Sequence, residues 1–412
     1  MFEIIIEQAA AMQLASDLKG ASMAPSMLFT GPPCSGKATM AFELARALSC
    51  EKEAETHCSC HACTQHRILS HPDLLVLGAR PFAPEIAAAA AAFKQNPQTK
   101  RILFVQTVRK LLIRFSPLLW EGDPKFGKLG DTIVALKEDI DELPSITTPA
   151  AIEKKIKAIQ TAAAKLEEEG ISDSIPVGHI RNCAYWSHIA PIGKKKMLLI
   201  EQADRMQDGA RNSLLKVLEE PPENLTIVLT TSREKTLLPT ILSRLRPYRF
   251  TKRSPAAEQN IIRQIFGEAT PIHSSLADYL ESFLPVSMQT IRDAAAFFIA
   301  GVAISSAHSL RRHNRAIPHD IVALGKQAVD YVEKAGLGRP PDNDTQAVIK
   351  AIVEKKGEGK ESIFAVRGTF SQFLDNVLDI VRESYRQNAS DVPPYTLDVW
   401  HRHITEAALA VG

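Results

Sequence analysis

The sequence predicts a parallel α/β domain followed by an all-helical region, on the strength of two patterns. Short apolar stretches at 27–30, 73–77, 196–200 and 225–231 predict buried strands, and helical patterns lie between them. Strands that alternate with helices form a parallel sheet with helices on its faces. From about residue 253 onward the apolar spacing is helical, so the chain divides into an N-terminal α/β part and a C-terminal helical part.

Composition and charge exclude several classes of protein. The 412 residues suffice for about two to four domains, and 45% hydrophobic and 23% charged residues are ordinary for a globular protein. A formal net charge of +2 excludes a strongly basic protein that coats nucleic acid, although a local basic patch stays open. No secretory signal pattern is present, and the longest uncharged apolar stretch, 294–307, is shorter than the ~20 residues that span a bilayer. We therefore expect a cytoplasmic protein without a membrane partner.

The first predicted strand runs into a phosphate-binding motif. Residues 31–37 match G-x-x-x-x-G-K, where Gly31 and Gly36 let backbone N–H groups face a triphosphate and Lys37 reaches the terminal phosphates. The next position requires a Ser or Thr hydroxyl for Mg²⁺ but is occupied by Ala38. Thr39 is adjacent, yet successive helix residues point about 100° apart. The motif predicts that ATP binds weakly or not at all, and it makes Mg²⁺ coordination doubtful.

A second nucleotide-binding element is expected after the strand at 196–200. P-loop ATPases place Asp-Glu there, the Asp to hold the Mg²⁺ shell and the Glu to polarise the attacking water. This chain has Glu201 and Gln202 instead. Glu201 can still accept a hydrogen bond or contact metal-bound water, whereas the neutral Gln202 cannot act as a base. This is the second weakened catalytic position.

A cysteine cluster predicts a structural zinc site. Four of the six cysteines lie within fourteen residues: Cys50, Cys58, Cys60 and Cys63. In a large cytosolic chain, such clustering favours a metal over disulfides, and Zn²⁺ takes four thiolate or imidazole ligands. His57, His61 and His66 are alternative ligands, and the second ligand stays open between Cys58 and His57.

Two further features stand out along the chain. Arg244 follows the segment Thr-Ile-Leu-Ser and is a candidate arginine finger for a phosphate bound by a neighbouring subunit. Residues 80–170 have helical apolar spacing and include an alanine run at 87–92, which predicts a helical insertion. Its apolar residues, among them Val108, Leu111 and Phe115, are expected to cover a groove on the parent domain or to bind a partner. We expect its removal to leave a folded protein.

Together these segments resemble the bacterial DNA polymerase III clamp-loader subunits of the AAA+ class. The resemblance covers about 1–78 and 175–250, and its most specific part is N-S-L-L-K-V-L-E-E-P-P at 212–222. The cysteine cluster lies where the family carries its zinc module, although with C-x7-C-x-C-x2-C spacing in place of the usual C-x8-C-x2-C-x2-C. Thr231 falls in the sensor-1 region, and Ser243-Arg244-Leu245 matches the Ser-Arg-Cys finger motif.

The resemblance implies a domain plan. Residues 1–250 would form a RecA-like AAA+ P-loop domain that carries the zinc module at 50–63 and the helical insertion at about 80–170. Residues 251–290 would form a helical lid or the start of the collar, and 291–412 a helical collar for oligomerisation. The insertion is not part of the usual family pattern.

Within the family, Ile200-Glu201-Gln202-Ala203-Asp204-Arg205-Met206 resembles the delta-prime subunit, which lacks a working hydrolytic site yet supplies a finger to a neighbour. The resemblance implies a hetero-oligomer, expected to be pentameric, that meets the sliding clamp and primer-template DNA. An active gamma/tau-type ATPase is the first alternative, favoured by the intact Lys37. A stand-alone P-loop enzyme is the second, and a regulatory zinc protein with a vestigial P-loop is the third.

Overall fold

The computed structural model describes residue 2 and residues 5–20, 22–284, 286–340 and 369–387. The chain separates into two compact units, residues 1–283 and 284–412. The division thus falls inside the range 251–290 that the sequence assigned to the lid or the start of the collar. Parts of the predicted collar, 341–368 and 388–412, lie outside the described residues.

A five-stranded sheet forms the centre of the first unit. Its strands are β1 Ser26–Thr30, β2 Leu74–Gly78, β3 Lys196–Glu201, β4 Leu225–Thr231 and β5 Arg246–Arg249. All neighbours pair in parallel, in the order β2-β3-β4-β1-β5. The four predicted strands and the parallel sheet are confirmed.

Strand β5 is absent from the sequence prediction. It is Arg-Pro-Tyr-Arg, which lacks an apolar run, and a proline is tolerated in a sheet mainly on an edge strand. Tyr248 supplies its buried anchor: the ring packs edge-on against Phe29, with centroids 5.8 Å apart. The edge position of β5 and the packing of Tyr248 therefore make this segment a strand, and no local sequence pattern predicts it.

Helices cover both faces of the sheet. In chain order they are α1 Ala9–Lys19, α2 Lys37–Ser49, α3 His61–Arg67, α4 Ala83–Gln95, α5 Pro97–Leu112, α6 Pro124–Glu142, α7 Pro149–Gly170, α8 Val177–Ser187, α9 Asp208–Glu219 and α10 Pro239–Leu242. Successive strand residues point to opposite faces. Met27 and Phe29 therefore share a core with α1, α2 and the cysteine segment, while Leu28 shares one with α4–α9.

The segment 80–170 is helical, as predicted, and its helices belong to the sheet's own core. Val108 and Leu111 are fully buried and Phe115 nearly so, in one continuous cluster with Leu75 and Leu77 of β2. These residues cover the parent sheet, which is one of the two roles expected for them. Removing the segment would expose that sheet face to water, so this packing argues against the expectation that the rest of the protein stays folded without it.

The last part of the first unit and the described part of the second are helical. Residues 251–283, called here the lid segment, contain α11 Pro255–Ile261, a π-helical turn at Ile262–Phe266 and α12 Leu276–Glu281. The second unit contains α13 Met288–Arg312, α14 His319–Lys334 and α15 Thr369–Gln387, which share one core. By length and composition alone, α13 could cross a membrane, a test that the core helix of a soluble protein also passes.

Candidate nucleotide and metal sites

The predicted P-loop links β1 to α2, with backbone geometry that only glycine accommodates. Gly31 has φ +149° and Gly36 has φ +96°. A Cβ at Gly31 would lie 2.2 Å from the carbonyl oxygen of Phe250, and one at Gly36 would lie 2.5 Å from a guanidinium nitrogen of Arg253. Gly31 is therefore required both by its φ and by the close approach of the Phe250 backbone, whereas Gly36 is required chiefly by its φ.

Lys37 is the first residue of α2, and its ammonium group folds back over the loop. It donates hydrogen bonds to the carbonyl oxygens of Gly31 (2.7 Å) and Pro32 (2.5 Å). Burial lowers the pKa of Lys37 to about 8, although Cys34 and Asp204 act in the opposite direction. A phosphate would supply the anionic partner that this half-buried ammonium lacks among the residues that the structure describes.

The Mg²⁺ side of the loop is poor in ligands. Ala38 is half-buried and has no oxygen to offer, and Thr39 points to solvent. The structure thus gives Thr39 no role in place of the missing hydroxyl.

The end of β3 is occupied by a buried ion-pair network. Glu201 is 2% exposed, and its Oε2 accepts from Arg114 and, at 3.0 Å, from Nε of Arg80. Arg114 is itself 3% exposed. Both arginines come from the helical segment, so this segment supplies the partners of the carboxylate that the sequence predicted as a weakened Mg²⁺ ligand.

The network continues beyond Glu201. Glu85 accepts from Arg80 at 2.9 Å and from Lys110. Burial opposes ionisation of Glu85, but Lys110 and Arg80 outweigh it and lower the pKa of Glu85 to about 2. The guanidinium carbons of Arg80 and Arg114 lie 4.1 and 4.6 Å from the ring centroid of the buried Phe82. Three cations thus surround two carboxylates, and Glu201 carries no uncompensated charge with which to attract Mg²⁺.

Gln202 directly follows β3, and Thr231 is the last residue of β4, which pairs with β1. Gln202 adopts φ +50°, and its buried side-chain oxygen has no hydrogen-bond partner among the described residues. Thr231 is buried and donates to a carboxylate oxygen of Asp204 at 2.6 Å. Ser232, the next residue, has its Oγ 3.5 Å from Nζ of Lys37. Thr231 therefore orients Asp204, whose carboxylate raises the pKa of Lys37.

Arg244 lies on the surface just after α10, and the residues it contacts lie outside the P-loop of its own chain. Its guanidinium donates to the carbonyl oxygen of Thr240 and to Oε1 of Glu219, both at 2.7 Å. The Arg244 side chain remains one-third exposed. The structure does not bring Arg244 into contact with Lys37 or Glu201 but holds it in one orientation at the surface.

The four cysteine sulfurs converge. All lie within 4.8 Å of one another, and the Sγ of Cys50 is 3.6 Å from that of Cys58 and 3.9 Å from that of Cys60. Four thiolates at 2.3 Å from a tetrahedral Zn²⁺ would be about 3.8 Å apart. Cys63 completes the set, whereas His57 is exposed. The structure therefore favours Cys58 over His57 as the second ligand.

The surroundings of the cluster suit thiolates. Backbone N–H groups of Lys52 and Ala54 each donate to Cys50 Sγ at 3.3 Å. Arg46 is 1% exposed and donates to Cys63 Sγ at 3.4 Å. Donors of this kind stabilise the negative charge that four coordinating thiolates would bring. The donor set thus fits a structural zinc ion.

Sequence reasoning missed the partners of Glu201. Arg80 and Arg114 are 121 and 87 positions away from it along the chain, so no spacing rule connects them. It also missed Arg253, which donates to the carbonyl oxygens of Ile6 (3.1 Å) and Cys34 (2.6 Å) beside the P-loop. Charged residues inside an apolar helical segment are the only local signal of such a network.

The fold and the P-loop together define the class of protein. A parallel sheet in this order, with the P-loop after β1 and helices on both faces, is the AAA+ form of the P-loop α/β fold. A family model described as "DNA polymerase III, delta subunit" matches residues 6–126 and 137–254, more than half of the chain. The chain belongs to this family of clamp-loader subunits. The match extends into the helical segment that the sequence set apart.

Individual relatives share shorter stretches. The chain is 44% identical over 71 residues to DNA polymerase III subunit delta′ of Bacillus subtilis, covering 17% of this chain and 22% of that one. It is 27% identical over 166 residues to subunit tau of Escherichia coli, covering 40% and 23%. The matches thus span less than a quarter of either relative. A solved gamma subunit-related protein of Thermotoga maritima covers 57% of this chain and 80% of its own, at 16% identity and a TM-score of 0.23, which is too low to bear on the fold.

Proposed function

We propose that this chain is a delta-prime-type clamp-loader subunit that acts in DNA replication. It helps to load the sliding clamp onto primed DNA within a cytoplasmic hetero-oligomer, expected to be a pentamer. Its own site binds ATP weakly through Gly31, Gly36 and Lys37 and hydrolyses it little or not at all. Arg244 acts on the nucleotide of a neighbouring subunit. Zinc held by the four clustered cysteines has a structural role.

The engagement of Glu201 is the observation that carries this proposal. A hydrolytic P-loop site needs a free carboxylate at the end of β3 to hold the Mg²⁺ shell. Here Arg114 and Arg80 neutralise that carboxylate in a buried pocket. Breaking a buried pair leaves an uncompensated charge, which costs about 3–5 kcal/mol. Mg²⁺ would have to meet that cost before it could bind.

Two other positions of the site also support a chain that hydrolyses ATP little or not at all. Ala38 offers no hydroxyl to Mg²⁺, and the neutral Gln202 cannot take a proton from water. Lys37, in contrast, keeps its place in the loop. The phosphate-binding half of the site therefore persists while the metal-binding half does not.

The setting of Arg244 supports a role in trans. Its contacts with Glu219 and Thr240 fix the side chain, and the part that stays exposed can face another chain. A guanidinium is permanently charged and can bridge two phosphate oxygens in a fork. The fixed orientation lowers the entropy that would be lost when it meets a phosphate.

The test is Arg244→Ala in the reconstituted complex with its partner ATPase subunits, sliding clamp and primed DNA. Assembly should persist, while DNA-stimulated ATP hydrolysis falls partially, because one site of several is affected. Fingers in trans contribute ~10³–10⁵ in rate at the site they serve. Arg249→Ala is the matched control, since Arg249 is 75% exposed and makes only a 4.0 Å ion pair. If both variants load clamps like the wild type, Arg244 is an ordinary surface arginine.

An active gamma/tau-type ATPase is the second candidate. The intact P-loop backbone and Lys37 favour it. It requires Glu201 to leave its arginine partners, and it predicts turnover by the isolated chain. Turnover by the isolated chain therefore separates the two candidates.

A further inference from the structure

The helical segment contacts the lid segment as well as the sheet. Helix α4 has two buried faces: Ala89 and Phe93 belong to the sheet-side core, whereas Ala88 and Ala92 belong to a separate cluster. That second cluster contains three lid side chains, Ile262, Phe266 and Tyr279. The alanine run keeps α4 thin enough to pack between the two layers.

A polar contact reinforces this packing. Nζ of Lys100, in the first turn of α5, donates to the carbonyl oxygens of Gln264 (2.7 Å) and Ile265 (2.8 Å). These carbonyls lie at the end of the π-helical turn, where helix carbonyls lack an intrahelical partner. The Lys100 side chain also lies against Gly267, where a Cβ would be 3.3 Å from its Cε. One lysine thus caps the lid turn from the outside.

The other end of the lid segment is attached to the N-terminal residues and the P-loop. The side-chain amide of Gln8 exchanges two 2.9 Å hydrogen bonds with the backbone of Thr251. The carboxylate of Glu7 accepts from the backbone N–H of Ser254 at 3.0 Å. Arg253 ties the same stretch to the carbonyl oxygen of Cys34 in the loop. The lid segment is therefore held at two separate points.

We propose that α4 and the first turn of α5 act as a strut that fixes the lid segment to the α/β core. A segment held only at residues 251–254 can swing about that point. A second attachment through Ala88, Ala92 and Lys100 removes that freedom, because the apolar contacts and two charge-assisted hydrogen bonds must break together. The strut would fix the position of the lid segment whether or not this chain hydrolyses ATP.

Hydrogen exchange of the full-length chain tests the strut through Lys100→Ala. Loss of two charge-assisted hydrogen bonds should speed amide exchange in residues 255–281 by about tenfold, with exchange in α8 unchanged. Lys94→Ala is the matched control, because Lys94 lies on α4 but makes only an exposed ion pair with Glu153. It should leave lid exchange at the wild-type rate.

Ala92→Glu is an independent test of the strut, because it places a charge in the apolar contact between α4 and the lid segment and leaves Lys100 in place. Lid exchange should rise in this variant too, by at least as much as in Lys100→Ala. Lid exchange within twofold of wild type in Lys100→Ala would overturn the proposal, even if Ala92→Glu fails to fold. Equal acceleration of lid exchange in the Lys94→Ala control would also overturn the proposal.

Discussion

Two buried clusters of ionisable side chains lie beside the central sheet, and they are built in different ways. The cysteine cluster comes from residues 50–63 and packs with the face that carries Met27 and Phe29. The arginine–glutamate network joins β3 to the helical segment, from residues as far apart as 80 and 201. The first is formed within one short segment, whereas the second joins the end of β3 to side chains from a distant segment.

Whether a cluster forms from neighbouring or from distant residues also decides how much of it the sequence could predict. Four cysteines within fourteen residues carry their chemistry in their spacing, and the structure brings all four together. The P-loop, the parallel sheet and the helical nature of 80–170 are also local patterns. Glu201 was predicted as a weakened residue, but its two arginine partners, one just after β2 and one just after α5, come from distant parts of the chain. Strand β5 was missed for a related reason, since only its pairing with β1 makes it a strand.

The largest expected effect is on the cysteine cluster. Wild-type protein should contain about one zinc per chain, and Cys63→Ser should reduce this to near zero and lower the free energy of unfolding by several kcal/mol. Metal analysis under reducing, chelator-free conditions measures it. Cys183→Ala is the control, because Cys183 is buried in α8 outside the cluster. If the wild-type protein contains no zinc, the cysteine cluster is not a zinc site.

Arg114→Leu tests the second cluster. It leaves Glu201 buried with one arginine partner, so we expect the free energy of unfolding to fall by about 3–5 kcal/mol in denaturant titrations. Arg109→Leu is the control, five residues earlier on α5. Arg109 pairs with an Asp141 side chain that is 67% exposed and donates to the carbonyl oxygen of Ile68 at 3.0 Å, so its loss should cost less, about 1–2 kcal/mol. Equal costs for the two variants would mean that the network does not hold Glu201.

The pH dependence of ATP binding tests the retained half of the site. Lys37 has a pKa of about 8, so it is charged below that pH and neutral above it. Phosphate binding needs the charged form, and affinity should therefore weaken about tenfold between pH 7 and pH 9. Calorimetry at the two pH values measures it. Lys37→Ala should bind more weakly and show no such step, whereas a step that survives in Lys37→Ala must come from another group.

The smallest expected effect is a null result. Ala38→Thr restores the missing hydroxyl beside Lys37, yet it should not produce ATP turnover, because Glu201 stays paired with Arg114 and Arg80. Coupled-enzyme assays with saturating Mg²⁺ measure turnover. Hydrolysis gained from this single change would show that the hydroxyl, and not the carboxylate, limits the site.

ATP turnover by the purified wild-type chain is the most direct test of a silent site. We expect a rate with saturating Mg²⁺ that is indistinguishable from that of Lys37→Ala, both without and with primed DNA. Robust turnover that disappears in Lys37→Ala would contradict the account and establish an active ATPase in which Glu201 is released from its arginine partners.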